Sequence, residues 1–488
     1  MKRYWWVICW LVTCTSVTCT ASAQQSDSTQ TPEVLRFEEY YNVVIRNHPV
    51  VKQVALISQD AAQELRMARG MFDPKLEGKW DYKELTSDGK QTEYWNLVDV
   101  GVKIPTYFPL EPKFGFERNK GSFVNPENFI DPKTSNQQVY AGVSMPIGKG
   151  LVIDKRRAVV NQAIILQDMA EAEQVKVINK FLLTVVKDYW NWYNAYENFV
   201  LMRQSINIAQ NIFDLTRQQY QYGEAAAMDT VQAQITLQKR RIDYEQANIE
   251  RIRAVLLLSN HLWTNDGIPL ELEDNVIPEQ PVEQLLASEL LLQLVASARE
   301  NHPELAKLRL KNNSLEVEQQ LARENLKPQL DLSYVLLDQP VAPPGGSSRD
   351  FDFTDNFKLG VDFSFPIFLR KERGKLNQVK FKIQDNLLEL SFREREILNN
   401  INARFNAVGT TMRLISQQAD MVANFQLVVQ AERLNLRLGE SDLFKLNAQL
   451  EKLIESRSKL IKLRASYQKD VAELYWAAGV NRLGLDGN

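Results

Sequence analysis

Residues 151–222 run for 72 positions without a glycine or a proline. At ~1.5 Å per residue an unbroken helix of that length is a rod of ~108 Å, far longer than a compact domain, so it must lie along something equally long. Residues 375–438 make a second such stretch, broken only by Gly409, and predict a rod of ~96 Å. Each rod has partners of the right length. Residues 49–72 and 224–266 stacked end to end predict ~101 Å, and residues 303–326 and 440–478 predict ~94 Å. Side-by-side packing is written into the last of these, where Leu443, Leu446, Leu450, Leu453, Leu460, Tyr467, Val471 and Leu474 recur at three-four spacing, with Arg457 and Arg464 as the polar exceptions. Four columns of equal height per chain predict an α-helical tube.

The columns fall into two halves because the chain is duplicated. The tripeptide NHP occurs at residues 47–49 and again at 301–303, an offset of 254, and the register holds beyond it: Leu56/Leu310, Glu64/Glu318, Ala68/Ala322, Arg69/Arg323, Pro74/Pro328 and Leu76/Leu330 are identical. Internal repetition on this scale defines the unit of construction. Each half continues with strands, a second proline, a very long helix, a glycine and a shorter helix. The strands alternate with period two. Phe357, Leu359, Val361, Phe363 and Phe365 share one face, against Lys358, Gly360, Asp362 and Ser364. Val139, Ala141, Val143 and Met145 do the same in the first half, as do Leu76, Gly78, Trp80 and Tyr82 against Glu77, Lys79, Asp81 and Lys83, and Leu330, Leu332 and Tyr334 against Asp331 and Ser333. Apolar-out, polar-in strands of about ten residues fit a membrane barrel wall; a half-buried sheet in water has the same pattern. Four strands cannot close a barrel in lipid, where about eight is the minimum and open edges are not tolerated, so the expectation is an oligomer. Pro74 and Pro146 are further apart than Pro328 and Pro366, and the surplus segments YWNLVDVGVKIP and KFGFERNKGSF read as a further hairpin that takes in residues 92–118. An extracellular excursion is preferred here over a wider barrel.

The first 23 residues are an export signal: Lys2 and Arg3, an apolar run, then Ala21-Ser22-Ala23 as the cleavage site. Cys9, Cys14 and Cys19, the only cysteines, all lie in it, so the exported chain has no thiol chemistry. Thr13 and Thr18 stand where lipoproteins carry a small residue, which leaves acylation at Cys14 or Cys19 as the less favoured alternative. Without Lys2 and Arg3 the balance is 56 basic against 61 acidic side chains, which argues against a nucleic-acid partner. Beyond the signal no stretch approaches the ~20 apolar residues of a spanning helix. The expected boundaries are 1–23 for the signal, 24–278 for the first repeat (strands about 75–147, helices about 151–222 and 224–262) and 279–488 for the second (strands about 329–367, helices about 371–438 and 440–478), both forming one intertwined domain.

The paired NHP segments, the strand ends GVSMPI and VDFSFPI and the turns YQYGEAAAMDTVQAQ and LRLGESDLFKLNAQ together resemble the TolC family, the outer-membrane efflux ducts of Gram-negative bacteria. The resemblance covers nearly all of the exported chain. It implies a fold that is mainly α with a membrane β-barrel section: a homotrimer whose twelve strands close one barrel, continued by a twelve-helix periplasmic tunnel. It implies a passive outer-membrane channel of a tripartite efflux or type I secretion system, with a periplasmic adaptor (membrane fusion protein), an inner-membrane transporter and outer-membrane lipid as partners, and neither a cofactor nor an enzymatic activity. An exported coiled-coil spacer or tether without channel activity is the rival reading.

Gly223 and Gly439 stop the long helices where a left-handed residue reverses the chain. The resemblance places them at the periplasmic tip that docks the adaptor, with Tyr220 and Asp229 matching residues that tie the closed entrance. The second repeat departs from the pattern, with Leu436 at the tyrosine position, Ser441 where an arginine is usual and Lys445 where an aspartate is expected. Glu440 and Asp442 are candidates, with Asp229, for an acidic entrance ring that attracts cations, although helix capping accounts for them more simply. Pro146, Arg156, Arg157, Pro366, Arg370 and Lys371 are placed where barrel becomes tunnel, with basic side chains near headgroups or at solvated helix starts. The aromatic run 189–199 reads as packing between columns. His48 and His302 precede a proline at the first helical position, where proline is favoured. That accounts for the motif better than a metal site, and no H-E-x-x-H, G-x-x-x-x-G-K-[ST] or G-x-S-x-G motif occurs.

Overall fold

A computed structural model describes residues 33–87, 89–121, 130, 136–338 and 356–480; the export signal with its cysteines lies outside the described residues. In chain order the elements are β1 (Glu33–Leu35), α1 (Phe37–Asn47), α2 (Pro49–Arg69), β2 (Lys75–Ser87), β3 (Lys90–Lys103), β4 (Glu111–Gly121), β5 (Gln137–Pro146), α3 (Lys155–Gln221), α4 (Ala227–Ser259), β6 (Val276–Pro278), α5 (Ser288–Asn301), α6 (Pro303–Glu324), β7 (Gln329–Asp338), β8 (Phe357–Ser364), α7 (Arg370–Leu438) and α8 (Leu443–Ala477). The chain is mostly helix with one sheet section. No helix among the described residues is long and apolar enough to cross a membrane.

The long helices α3 and α7, of 67 and 69 residues, have the shorter ones laid against them. α3 packs on α4 and α2, and also on α6 and α8, while α7 packs on α8, α6 and α5. The short helices meet end to end. Asn47 Nδ2 donates to the Trp263 carbonyl at 3.0 Å and Lys52 Nζ to the Asn265 carbonyl at 3.2 Å, so the start of α2 sits on the end of α4. In the second half His302 and Pro303 share a cavity with Trp476, Ala477 and Gly479, which puts the start of α6 against the end of α8. Both NHP motifs therefore mark the joint in a stacked column.

The core lies around these joints. Tyr189, Trp190, Trp192 and Tyr193 of α3 are buried with Phe37, Tyr40, Tyr41 and Val44 of α1. The Tyr189 hydroxyl donates to the Leu35 carbonyl at 2.7 Å and accepts from the Glu279 N–H at 3.1 Å, tying α3 to the parallel pair β1 and β6. The aromatic run is packing: its first part lies against α1, and between columns Phe199 meets Tyr244 of α4, ring centroids 5.2 Å apart. In α8 the seam residues Leu446, Leu450 and Leu453 are buried against Val422 and Val429 of α7, and Arg464, an exception in the seam, pairs with Glu283 at 2.9 Å.

The sheet has six strands in the order β2-β3-β4-β5-β7-β8, antiparallel throughout. The four strands expected from the repeat are β2, β5, β7 and β8. The surplus of the first half is not an excursion. β3 and β4 stand between β2 and β5 as two further members of the sheet, and the turn that joins them lies on the side of the helices. The physical reason is on the polar face, where the Tyr140 ring of β5 lies flat across Gly101 and Gly115; a Cβ at either glycine would come within 2.4 Å of the tyrosine. Glycines under an aromatic ring dock the hairpin side-on.

Candidate functional site

Three places carry the residues singled out above: the two helical turns, the column joints and the junction of sheet and helices. At the first turn α3 ends at Gln221, and Gly223 takes φ 80°, the left-handed conformation that lets a helix reverse. The Gly223 N–H reaches the Tyr220 carbonyl at 3.0 Å and the Glu224 N–H the Gln219 carbonyl at 2.9 Å. Asp229 Oδ2 accepts from the Ala226 N–H at 3.1 Å, holding the start of α4. The Tyr220 ring is half exposed. At the second turn Gly439 has φ 76°, and the Glu440 N–H bonds the Asn435 carbonyl at 2.9 Å. Asp442 caps α8 through Oδ1, which accepts from the Lys445 N–H at 2.8 Å. Ser441 Oγ bonds Glu432. Leu436 packs against the cluster of Val422, Val429, Leu446 and Leu450, while Glu440 is exposed. The two turns are thus one device built twice, a left-handed glycine followed by a carboxylate on the next helix start, where the helix dipole favours it.

At the column joints each histidine does more than precede a proline. His48 Nδ1 accepts from the Val50 N–H at 3.1 Å and His302 Nδ1 from the Glu304 N–H at 3.2 Å. Each imidazole is the N-cap of its helix, in the role usually taken by Ser, Asp or Asn. Burial lowers the pKa of both rings, helped by His261 for His48 and by Lys176 for His302, against an opposing contribution from Glu304 in the latter case. His48 stacks on Phe181 with centroids 4.4 Å apart and lies 5.8 Å from the His261 ring, whose Nε2 is 2.8 Å from Asp188 Oδ2. Among the described residues no group of three or more His, Cys, Asp and Glu is placed to hold a metal ion. Sequence reasoning missed the caps, although the signal was present: a residue before a proline at the first helical position is by definition at the N-cap.

The junction treats its basic residues unequally. Asp154 Oδ1 accepts from the Arg157 N–H at 2.8 Å. The Arg157 guanidinium is buried and donates to the carbonyls of Leu151 and Val152 at 3.1 Å and to that of Gly150; it binds the loop after Pro146 rather than facing outward. Arg156 pairs with Glu111 of β4 and lies over the Phe72 ring at 5.7 Å. Arg370 and Lys371 are exposed beyond Pro366, and Arg370 stacks over Phe368 at 5.1 Å, beside the exposed Phe365 and Ile367. Together they form an exposed aromatic and basic collar, a composition enriched at membrane interfaces.

The model of the outer membrane efflux protein family matches residues 41–262 and 294–480, one segment in each half. The chain belongs to the outer membrane efflux protein family. Its fold is shared with solved outer-membrane channels: CmeC of Campylobacter jejuni (15% identity, 91% of this chain and 85% of that one, TM-score 0.63), VceC of Vibrio cholerae (14%, 91% and 96%, 0.62) and the open state of MtrE of Neisseria gonorrhoeae (14%, 91% and 89%, 0.64). No curated protein matches it by sequence. Members of this family are channels of efflux systems in the outer membrane and not enzymes.

Proposed function

We propose that the chain is the outer-membrane duct of a tripartite efflux or type I secretion assembly, conducting its cargo passively as a homotrimer from a periplasmic adaptor and an inner-membrane transporter to the exterior. The observation that carries this reading is the sheet. Toward the helix side one face is apolar in all six strands, and among the described residues the outer edges of β2 and β8 have no neighbour. A six-stranded open sheet cannot stand in lipid, where each unpaired backbone group costs several kcal/mol, so closure takes further copies. The columns of ~100 Å then become the periplasmic wall, and the turns at Gly223 and Gly439 its far end, where Tyr220, Asp229, Leu436, Glu440 and Asp442 face the adaptor and entrance. The spacer reading leaves the apolar strand face and collar without a partner.

The test is single-channel recording of the purified chain in a planar bilayer. Uniform conductance steps are expected, and a preparation that runs as a trimer yet conducts nothing contradicts the duct.

A further inference from the structure

Over its helix-side half the hairpin of β3 and β4 carries the same apolar face as the strands on either side, and Arg118 and Lys120 follow on that face toward the far end. In register, Leu76 stands beside Val102, Val102 beside Phe114, Phe114 beside Ala141, Ala141 beside Leu336, and Leu336 beside Phe357. The neighbouring row runs from Val100 to Phe116 and Val139. On the opposite face Asp99, Lys103, Lys113 and Glu117 continue the line of Glu77, Lys79 and Asp81 in β2 and of Gln138 and Ser144 in β5. A hairpin projecting into water has no reason to keep an apolar face in line with its neighbours. A wall strand has to.

The other end of the hairpin is anchored where a wall should be. Tyr107, in the turn, donates from its hydroxyl to Asn161 Oδ1 of α3 at 3.1 Å and packs its ring 5.7 Å from that of Phe72. Glu111 pairs with Lys103 at 2.9 Å and with Arg156, joining β3, β4 and α3 at the mouth of the helical section.

We propose that residues 90–121 are barrel wall, so that three copies, each giving six strands, close an eighteen-strand barrel in which β2 of one copy pairs with β8 of the next. This rests on the duct reading and goes beyond the twelve strands that two per half supply. The stagger agrees with closure. The row that starts at Lys75, the helix-side end of β2, reaches β8 at Lys358, six residues short of its end at Ser364. With the helix-side ends level, six residues over five steps is a shift of ~4 Å per strand against a spacing of ~4.8 Å, a tilt of ~40°, inside the range of membrane barrels. At that tilt eighteen strands have a perimeter of ~112 Å. Twelve columns at 8–10 Å between axes have ~96–120 Å. The wider barrel meets the tunnel rim without a constriction.

The exported chain has no cysteine of its own once the signal is removed, which makes single cysteines readable. In outer membranes carrying the full chain, each variant that runs as a trimer is treated with a membrane-impermeant thiol reagent and, separately, labelled with a fluorophore and exposed to a quencher dissolved in the lipid. Asp99→Cys and Glu117→Cys are expected to react and to resist quenching, while Val98→Cys, Val100→Cys and Phe116→Cys lose the aqueous labelling and gain the quenching. Lys358→Cys and Asp362→Cys against Leu359→Cys and Val361→Cys in β8 report the wall itself. Alternation in β8 with uniform aqueous labelling in the hairpin overturns the eighteen-strand barrel and leaves the duct standing. Absence of alternation in β8 as well overturns both.

Discussion

At the scale of single residues, the fittings are few and each has a measurable weight. Replacing His48 or His302 by alanine removes an N-cap and is expected to lower stability by ~1 kcal/mol, with asparagine restoring most of it; urea or thermal melts of the trimer report this. Both rings are held neutral, with pKa values below the ordinary histidine value of ~6.5. Their contribution is therefore complete above that value and is lost as pH falls through the lowered folded pKa, because protonation of Nδ1 abolishes the acceptor. The H48A and H302A variants should show a shallower loss of stability on acidification than the parent. At the proposed entrance Asp442 is committed to its cap and Glu440 is not, so Glu440→Gln is expected to reduce cation preference in bilayer recordings more than Asp442→Asn; equal effects would contradict the division of roles. The caps were hard to see in sequence because histidine is seldom read as an acceptor, whereas Gly223 and Gly439 were plain, since little else reverses a helix in one step.

At the scale of elements, what is decided locally was legible and what is decided by pairing was not. The rods α3 and α7 follow from long runs without helix breakers, and the seam of α8 from the spacing of its leucines. The alternation Val98, Val100, Val102 against Asp99 and Lys103 was equally visible in β3, yet it is compatible with a hairpin lying anywhere. Its place between β2 and β5 depends on the packing of Tyr140 over Gly101 and Gly115, a contact between strands that no single segment announces. Gly115→Val is accordingly expected to lower the heat resistance of the trimer, since its side chain would displace the Tyr140 ring and break the 3.0 Å bond from the Tyr140 hydroxyl to Asp99, and Tyr140→Gly in the same chain to recover part of the loss. If Gly115→Val alone were neutral, the docking of the hairpin would need another cause. Likewise Arg157 read in sequence as a residue near headgroups or at a solvated helix start and is instead buried under the loop it holds, paired with Asp154 at the helix start.

At the scale of the whole molecule, duplication supplies two units of strand pair and column pair, and the six-stranded sheet supplies a wall segment that is incomplete in one copy. In the proposed trimer the same two edges, untenable in lipid for a single chain, pair between neighbouring copies and close the wall above the columns. The most direct measurement is the mass of the protein-detergent particle extracted from outer membranes under mild conditions, corrected for bound detergent. Three chains per particle, persisting on dilution, are predicted. A monomer recovered from the soluble periplasmic fraction would contradict the account, since its apolar sheet face and both strand edges would then stand exposed to water.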